Sequence, residues 1–208
     1  MKALLELPFF YDLWRRGIAR SDLNTVLVST YARPANSQRV LDIGCGPAPI
    51  LESLAPDVEY VGFDPNPAYI DSARARFGAR GRFFRSTATR KALADLGKFD
   101  VVMAVGVLHH LDDGEAAELF WMSHEALEPG GRLVTFDGCY RDGQSRIARI
   151  LLDHDRGRHV RTQDAYLALA EGAFSSVSPH LREDLLRIPY THLILECRKD
   201  EMGSGVRG

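Results

Sequence analysis

The 208-residue sequence has only four lysines and three cysteines, and it has no uninterrupted apolar run long enough to span a bilayer. The longest apolar stretch, residues 99–111, is broken by Asp100, Gly106, His109 and His110. A membrane helix needs about 20 apolar residues, so no membrane association is expected. Cys45, Cys139 and Cys197 are odd in number and far apart. They form no disulfide framework and fit reduced thiols in a cytoplasmic protein. The N-terminus, MKALLELPFFYDLWRR, lacks a sustained apolar stretch and a small-residue cleavage site, so no secretory signal is expected. An excess of one charge is missing too: 26 Lys and Arg stand against 28 Asp and Glu, a net −2. Proteins that live on nucleic acid are usually basic, so no nucleic-acid partner is expected. Internal repeats and low-complexity blocks are absent. What remains is 45% hydrophobic, 9% aromatic and 26% charged, an ordinary globular balance with room for a sizeable core.

Within that balance the chain alternates between two periods. Short β-branched or aromatic runs at 39–43, 60–63, 82–84, 99–105 and 132–136 predict strands. Between them, 49–54, 67–77, 89–96 and 114–127 predict helices, with Pro67 in a first turn and Pro129-Gly130-Gly131 as a sharp stop. Such alternation predicts βαβ units and a parallel sheet covered on both faces. Residues 4–32 read as one or two amphipathic helices, 145–152 and 163–171 as helices, and 177–181 and 190–197 as strands.

The most informative stretch is VLDIGCGPA at 40–48, where an apolar strand enters a loop with glycines at alternate positions, Gly44 and Gly46. Glycine there lets the backbone turn tightly and approach a ligand closely. Asp64 closes the next apolar strand, where an acid can take both hydroxyls of a ribose. A dinucleotide fingerprint wants a third glycine where Pro49 stands, and it has no need of a carboxylate at Asp42. Asp42 can meet a cationic group. A ligand with a ribose and an ammonium but no pyrophosphate is S-adenosylmethionine.

Four motifs in order, VLDIGCGPA (40–48), YVGFDPN (60–66), FDVVMAVGVLHHLDD (99–113) and LEPGGRLV (127–134), resemble those of class I S-adenosylmethionine-dependent methyltransferases of small molecules. The resemblance covers residues 38–137 specifically. It implies a Rossmann-like, doubly wound α/β sheet of seven strands, mostly parallel with an antiparallel last strand. It implies one domain over 1–200, with an N-terminal helical cap at 1–36, a helical insertion at 138–172 near the acceptor, and a disordered tail at 201–208. S-adenosyl-L-methionine is the implied cofactor. By that resemblance Gly44, Cys45 and Gly46 pass beneath the methionine part, Asp42 orients its amino group, and Asp64 takes the ribose. Pro65 and Asn66 border the adenosine. Thr87, beside Ala88, stands where the family often has an aspartate on the adenine. The Asn/Asp-Pro-Pro-aromatic loop of methyltransferases acting on base nitrogens is missing after the fourth strand, and backbone near Ala104 and Val105 is expected to line the cofactor floor instead.

The acceptor side is read from chemistry and topology. His109 or His110 can serve as a base, since histidine titrates near about 6.5; the other reading is that they cap the strand–helix turn, and the resemblance favours it. No metal is expected at His109, His110, Asp112 and Asp113, which read as a solvated helix start with Asp113 near the cap. Ligands of open parallel sheets bind outside the carboxyl ends of the strands. Segments carrying Tyr11, Trp14, Asp137, Tyr140, Arg141, Arg161, Arg187, Tyr190 and His192 can reach that edge. Six arginines against three aspartates at 138–161 suit an acceptor with carboxylate or phosphate, or else a self-paired surface loop. Tyr11, Tyr140, Arg161 and Tyr190 are the expected acceptor contacts. The expected function is methyl transfer to a small molecule; an RNA or protein methyltransferase and a non-catalytic cofactor-binding regulator are the alternatives.

Overall fold

A computed structural model describes residues 22–154 and 157–201. After a short helix α1 (Leu23–Val26) that runs on into a wider π-turn, Leu27–Ala32, strand and helix alternate. The elements are β1 (Arg39–Ile43), β2 (Glu59–Phe63), α2 (Pro67–Phe77), β3 (Gly81–Phe84), α3 (Arg90–Ala94), β4 (Phe99–Val105), α4 (Asp113–Ala126) and β5 (Leu127–Tyr140). Then come α5 (Arg146–Asp153), β6 (Arg161–Thr162), α6 (Gln163–Glu171), β7 (Ser176–Arg182) and β8 (His192–Arg198). Turns of 3-10 helix at Pro49–Glu52 and Leu108–His110 follow β1 and β4.

The local causes are legible. Asn66 caps α2, its side-chain oxygen accepting from the Ala68 amide with Pro67 in the first turn. Asp112 and Glu115 form a reciprocal capping box at the start of α4, so the cap lies one residue before Asp113. Ser145 and Thr162 cap α5 and α6 in the same way.

The sheet runs β3-β2-β1-β4-β5-β8-β7, with β6 paired to the end of β5. Strands β1 to β5 are parallel, and β8 lies antiparallel between β5 and β7. The expected seven-stranded sheet is present, and the two-residue β6 is added to it. Two apolar layers cover it. Leu27, Tyr31, Ile50, Leu51, Tyr60 and Ile70 fill one face, and Leu41, Phe63, Phe99, Phe120, Leu133 and Tyr166 the other. Strand β5 is far longer than 132–136 because the chain stays extended through Pro129-Gly130-Gly131. The register shifts between Phe99, which pairs with Leu127, and Val101, which pairs with Arg132. A side chain at Gly131 would lie 2.9 Å from the Asp100 carbonyl, so this crossing needs glycine.

The sequence goes outward in opposite directions from β1 and β4, which are neighbours. A crevice therefore opens at their carboxyl ends, where ligands of doubly wound sheets bind. Among the described residues no helix is long and apolar enough to cross a membrane.

Candidate functional site

The loop after β1 is built from left-handed backbone. Gly44, Gly46 and Ala48 have φ of 72°, 55° and 54°. At Gly44 a side chain would also meet the Val107 methyl at 2.6 Å, whereas a Cβ on Gly46 would meet nothing within 4 Å. The loop is tight behind and open in front. It is tied to β2 from behind: the Gly44 and Cys45 amides donate to the Phe63 carbonyl at 2.8 and 3.0 Å. Cys45 turns its thiol into the core, where burial pushes its pKa up, and contributes backbone shape to the loop.

Asp64 organises the mouth. Its Oδ2 accepts from the Gly46 amide at 3.0 Å and its Oδ1 from the Asn66 amide at 2.8 Å. Burial raises its pKa, and these two amides oppose the rise. Pro65 beside it is exposed and Asn66 half-buried. Thr87 is exposed and Ala88 half-buried beyond the end of β3. On the other wall Ala104 is fully buried, Val105 half-buried, and the Gly106 amide donates to the Phe136 carbonyl at 2.7 Å.

Asp42 lies deepest, 4% exposed. Its Oδ2 accepts from the Tyr60 hydroxyl at 2.6 Å, and its Oδ1 is buried with no hydrogen-bond partner. Burial pushes its carboxyl up to about 7, opposed by the Tyr60 bond and reinforced by Asp64. An unsatisfied buried carboxylate oxygen is costly, and a cationic ligand group would relieve it. The donor set thus fits a ligand with a ribose at Asp64 and an ammonium at Asp42.

Beyond β4, His109 is held by Asp137 of β5. The His109 amide and Nδ1 both lie against Asp137 Oδ1, at 3.1 and 2.7 Å. Asp137 is buried, which raises its pKa, and the His109 bond opposes the rise. An ionised carboxylate on Nδ1–H assigns the neutral ring's lone pair to Nε2. The His110 ring lies 4.1 Å from that of His109.

The acceptor expectations divide. Arg161 is buried at 8% exposure and turned inward. Its guanidinium donates to the carbonyls of Leu108, His159 and Leu111 at 3.0, 2.9 and 2.7 Å and to Asp113 at 2.9 Å. It pins the β4–α4 loop with four of its five N–H groups engaged there and at His159, so the acceptor role assigned to Arg161 is corrected. The Tyr140 hydroxyl donates to Asp153 at 2.8 Å beneath the Arg149 guanidinium. Tyr190 is half-buried against His192 and lines a cavity of about 350 Å³ with Ser145, Ala148, Glu183, Leu186 and Arg187. Tyr11 and Trp14 lie outside the described residues. Sequence reasoning missed Tyr60, which sits in an apolar strand and reads as core. It also placed Asp137 at the edge without its histidine.

Residues 41–133 match a family model described as a methyltransferase domain. The chain is 32% identical to the ubiquinone biosynthesis O-methyltransferase of Brucella anthropi over 158 residues, 67% of this chain and 61% of that protein. The chain belongs to the class I S-adenosylmethionine-dependent methyltransferases. A second relative, aclacinomycin 10-hydroxylase RdmB of Streptomyces purpurascens, is 28% identical over 214 residues, 91% of this chain and 56% of that protein. The chain thus spans little more than half the length of these curated relatives. The crystal structure of the S-adenosylmethionine-dependent methyltransferase SibL shares the fold, with a TM-score of 0.67 at 20% identity over 92% of this chain and 57% of that one.

Proposed function

We propose that this chain transfers a methyl group from S-adenosylmethionine to a small-molecule acceptor. The observation that carries the reading is the buried, partnerless Oδ1 of Asp42 behind a glycine loop whose mouth is set by Asp64. Asp42 takes the amino group, Gly44 and Gly46 underlie the methionine part, and Asp64 takes the ribose. Pro65, Asn66, Thr87 and Ala88 border the adenosine, and Ala104 and Val105 form the floor. Bound S-adenosylmethionine supplies a methyl group already activated on a sulfonium.

The chain's own contribution is alignment and exclusion of water. His109, its tautomer set by Asp137, takes a proton from an O- or N-acceptor, with His110 packed beside it. The cavity beside Tyr190 holds the acceptor, and Arg187 is the cation on its lining that meets an anionic group. Three buried free thiols support a reducing, cytoplasmic setting.

The test is to incubate the protein with methyl-labelled S-adenosylmethionine and a cell extract, then trace the label. Label in a small molecule is the expected result. Label in RNA or protein overturns the acceptor class. A hydroxylated product without label sinks methyl transfer itself, an outcome given weight by the similarity to a relative named as a hydroxylase.

A further inference from the structure

We propose that Tyr60 is a positioning residue that sets the charge on Asp42, so that seating the amino-acid end of the methyl donor expels a proton from this carboxyl to solvent. The inference rests on the donor reading of the site given above.

The two side chains come from adjacent strands, β1 and β2, and meet on one face of the sheet. The Tyr60 hydroxyl donates to Asp42 Oδ2 at 2.6 Å, while Oδ1 has no partner and is buried. The ionisable groups facing Asp42 are Tyr60 and Asp64 from β2 and Cys45 from the glycine loop, and β4 sets Met103 beside it. Each of those three groups is anionic when ionised, so none supplies a counter-charge. A carboxyl in that position keeps its proton to about pH 7 while no cation is beside it. An ammonium placed against Oδ1 reverses the balance: the carboxylate becomes the favoured form and its proton leaves.

The Tyr60 hydroxyl works in the same direction as the ammonium. Its O–H bond favours the charged form of Asp42, and so holds the carboxyl lower than burial alone would. It also occupies Oδ2, so that Oδ1 is the oxygen presented to the ligand. The site therefore has one donor of its own for a carboxylate and leaves the second place to the ligand. Gly62 makes the pairing possible, since a Cβ there would sit 3.0 Å from the Tyr60 ring and 2.8 Å from the Cys45 sulfur.

The experiment is calorimetric binding of S-adenosylhomocysteine between pH 5 and 8, with 5′-methylthioadenosine as the ligand that keeps the nucleoside and lacks the amino group. For the native protein, affinity for S-adenosylhomocysteine should fall about tenfold per pH unit below the Asp42 midpoint, with methylthioadenosine binding flat. Titration in two buffers of different ionisation heat should show about one proton released per site at pH 5.5 and almost none at pH 8. In Tyr60→Phe the midpoint should rise by roughly one pH unit, so that affinity falls about fivefold below the native protein's at pH 7 and only about twofold below it at pH 8. In Asp42→Asn the pH dependence should vanish and affinity should be weak throughout. Flat binding of both ligands by the native protein, with no proton released, overturns the proposal and leaves the donor reading standing. Tyr60→Phe binding that is weaker by the same factor at every pH makes Tyr60 merely structural and also overturns it. No binding of either ligand at any pH removes the donor reading, and the proposal with it.

Discussion

The residue whose role changes most between sequence and structure is Arg161. A count of six arginines in 138–161 says that the segment is basic, but not which guanidinium faces solvent. The structure makes Arg161 internal, bonded to three carbonyls and to Asp113, whose own side chain is largely exposed. Removing it leaves three carbonyl oxygens without their donor, those of Leu108 and Leu111 in the β4–α4 loop and that of His159 before β6. Arg161→Ala is therefore expected to destabilise the fold by roughly 3 kcal/mol, the scale of several lost hydrogen bonds to a charged group. Urea unfolding measures this. Native stability together with a selective loss of acceptor affinity would return Arg161 to the acceptor site. Tyr60 teaches the converse lesson. Its hydroxyl is invisible in a strand pattern that treats tyrosine as apolar, and it becomes visible only when β1 and β2 pair Val40 with Tyr60 in register. Asp42 and Asp64, by contrast, stood out as candidates in the sequence, because each is an acid at the end of an apolar strand beside the glycine loop.

At the scale of elements, periodicity located nearly every strand and helix, and errors gathered where local and long-range signals compete. Proline and two glycines at 129–131 read as a helix stop, which they are. They do not end the extended chain, because pairing with β4 and β8 continues around them. Strand β6 is too short to carry any pattern, and it exists because Arg161 and Thr162 pair with Cys139 and Tyr140. The glycine loop shows how one motif divides into two jobs. Gly44 is fixed by its positive φ and by the Val107 methyl at 2.6 Å, whereas Gly46 has the φ but open space in front. Gly44→Ala should lower stability by about 2–4 kcal/mol, the left-handed backbone cost plus overpacking. Gly46→Ala should lower stability by only about 1–2 kcal/mol while weakening S-adenosylhomocysteine binding disproportionately. Thermal unfolding alongside calorimetry separates the two. Equal losses of stability would mean that Val107 yields freely, and unchanged affinity in Gly46→Ala would move the ligand off the loop.

The whole molecule adds what no segment holds. The connection from β3 back to β4 leaves β1 and β4 side by side and opens the crevice between them, and the resemblance of four motifs was enough to foresee the fold that makes it. The acceptor side is assembled from pieces far apart in sequence, and only their general placement at the sheet's carboxyl edge could be foreseen. Ser145 and Ala148 come from the start of α5, and Glu183, Leu186, Arg187 and Tyr190 from the connection between β7 and β8. Glu183 is itself held by Arg141 at 3.1 Å and by Thr191 at 3.3 Å, so the cavity wall has a charged brace across the same two segments. Tyr190 stands where this cavity meets β5. An added carbon at Gly138 would lie 2.6 Å from its hydroxyl, and its ring packs 4.6 Å from His192, which stacks on Phe136. These contacts tie it to β5 and β8 rather than to the glycine loop. A ligand bound only at the donor crevice should therefore not register its loss. Tyr190→Ala is expected to bind S-adenosylhomocysteine within about twofold of the native protein, while kcat/KM for the acceptor falls by at least tenfold, a loss of more than about 1.4 kcal/mol of transition-state stabilisation. Steady-state kinetics with the acceptor identified by label transfer gives the ratio. Native turnover in that variant would detach the cavity from catalysis and leave the acceptor to be sought closer to His109 and His110, after β4.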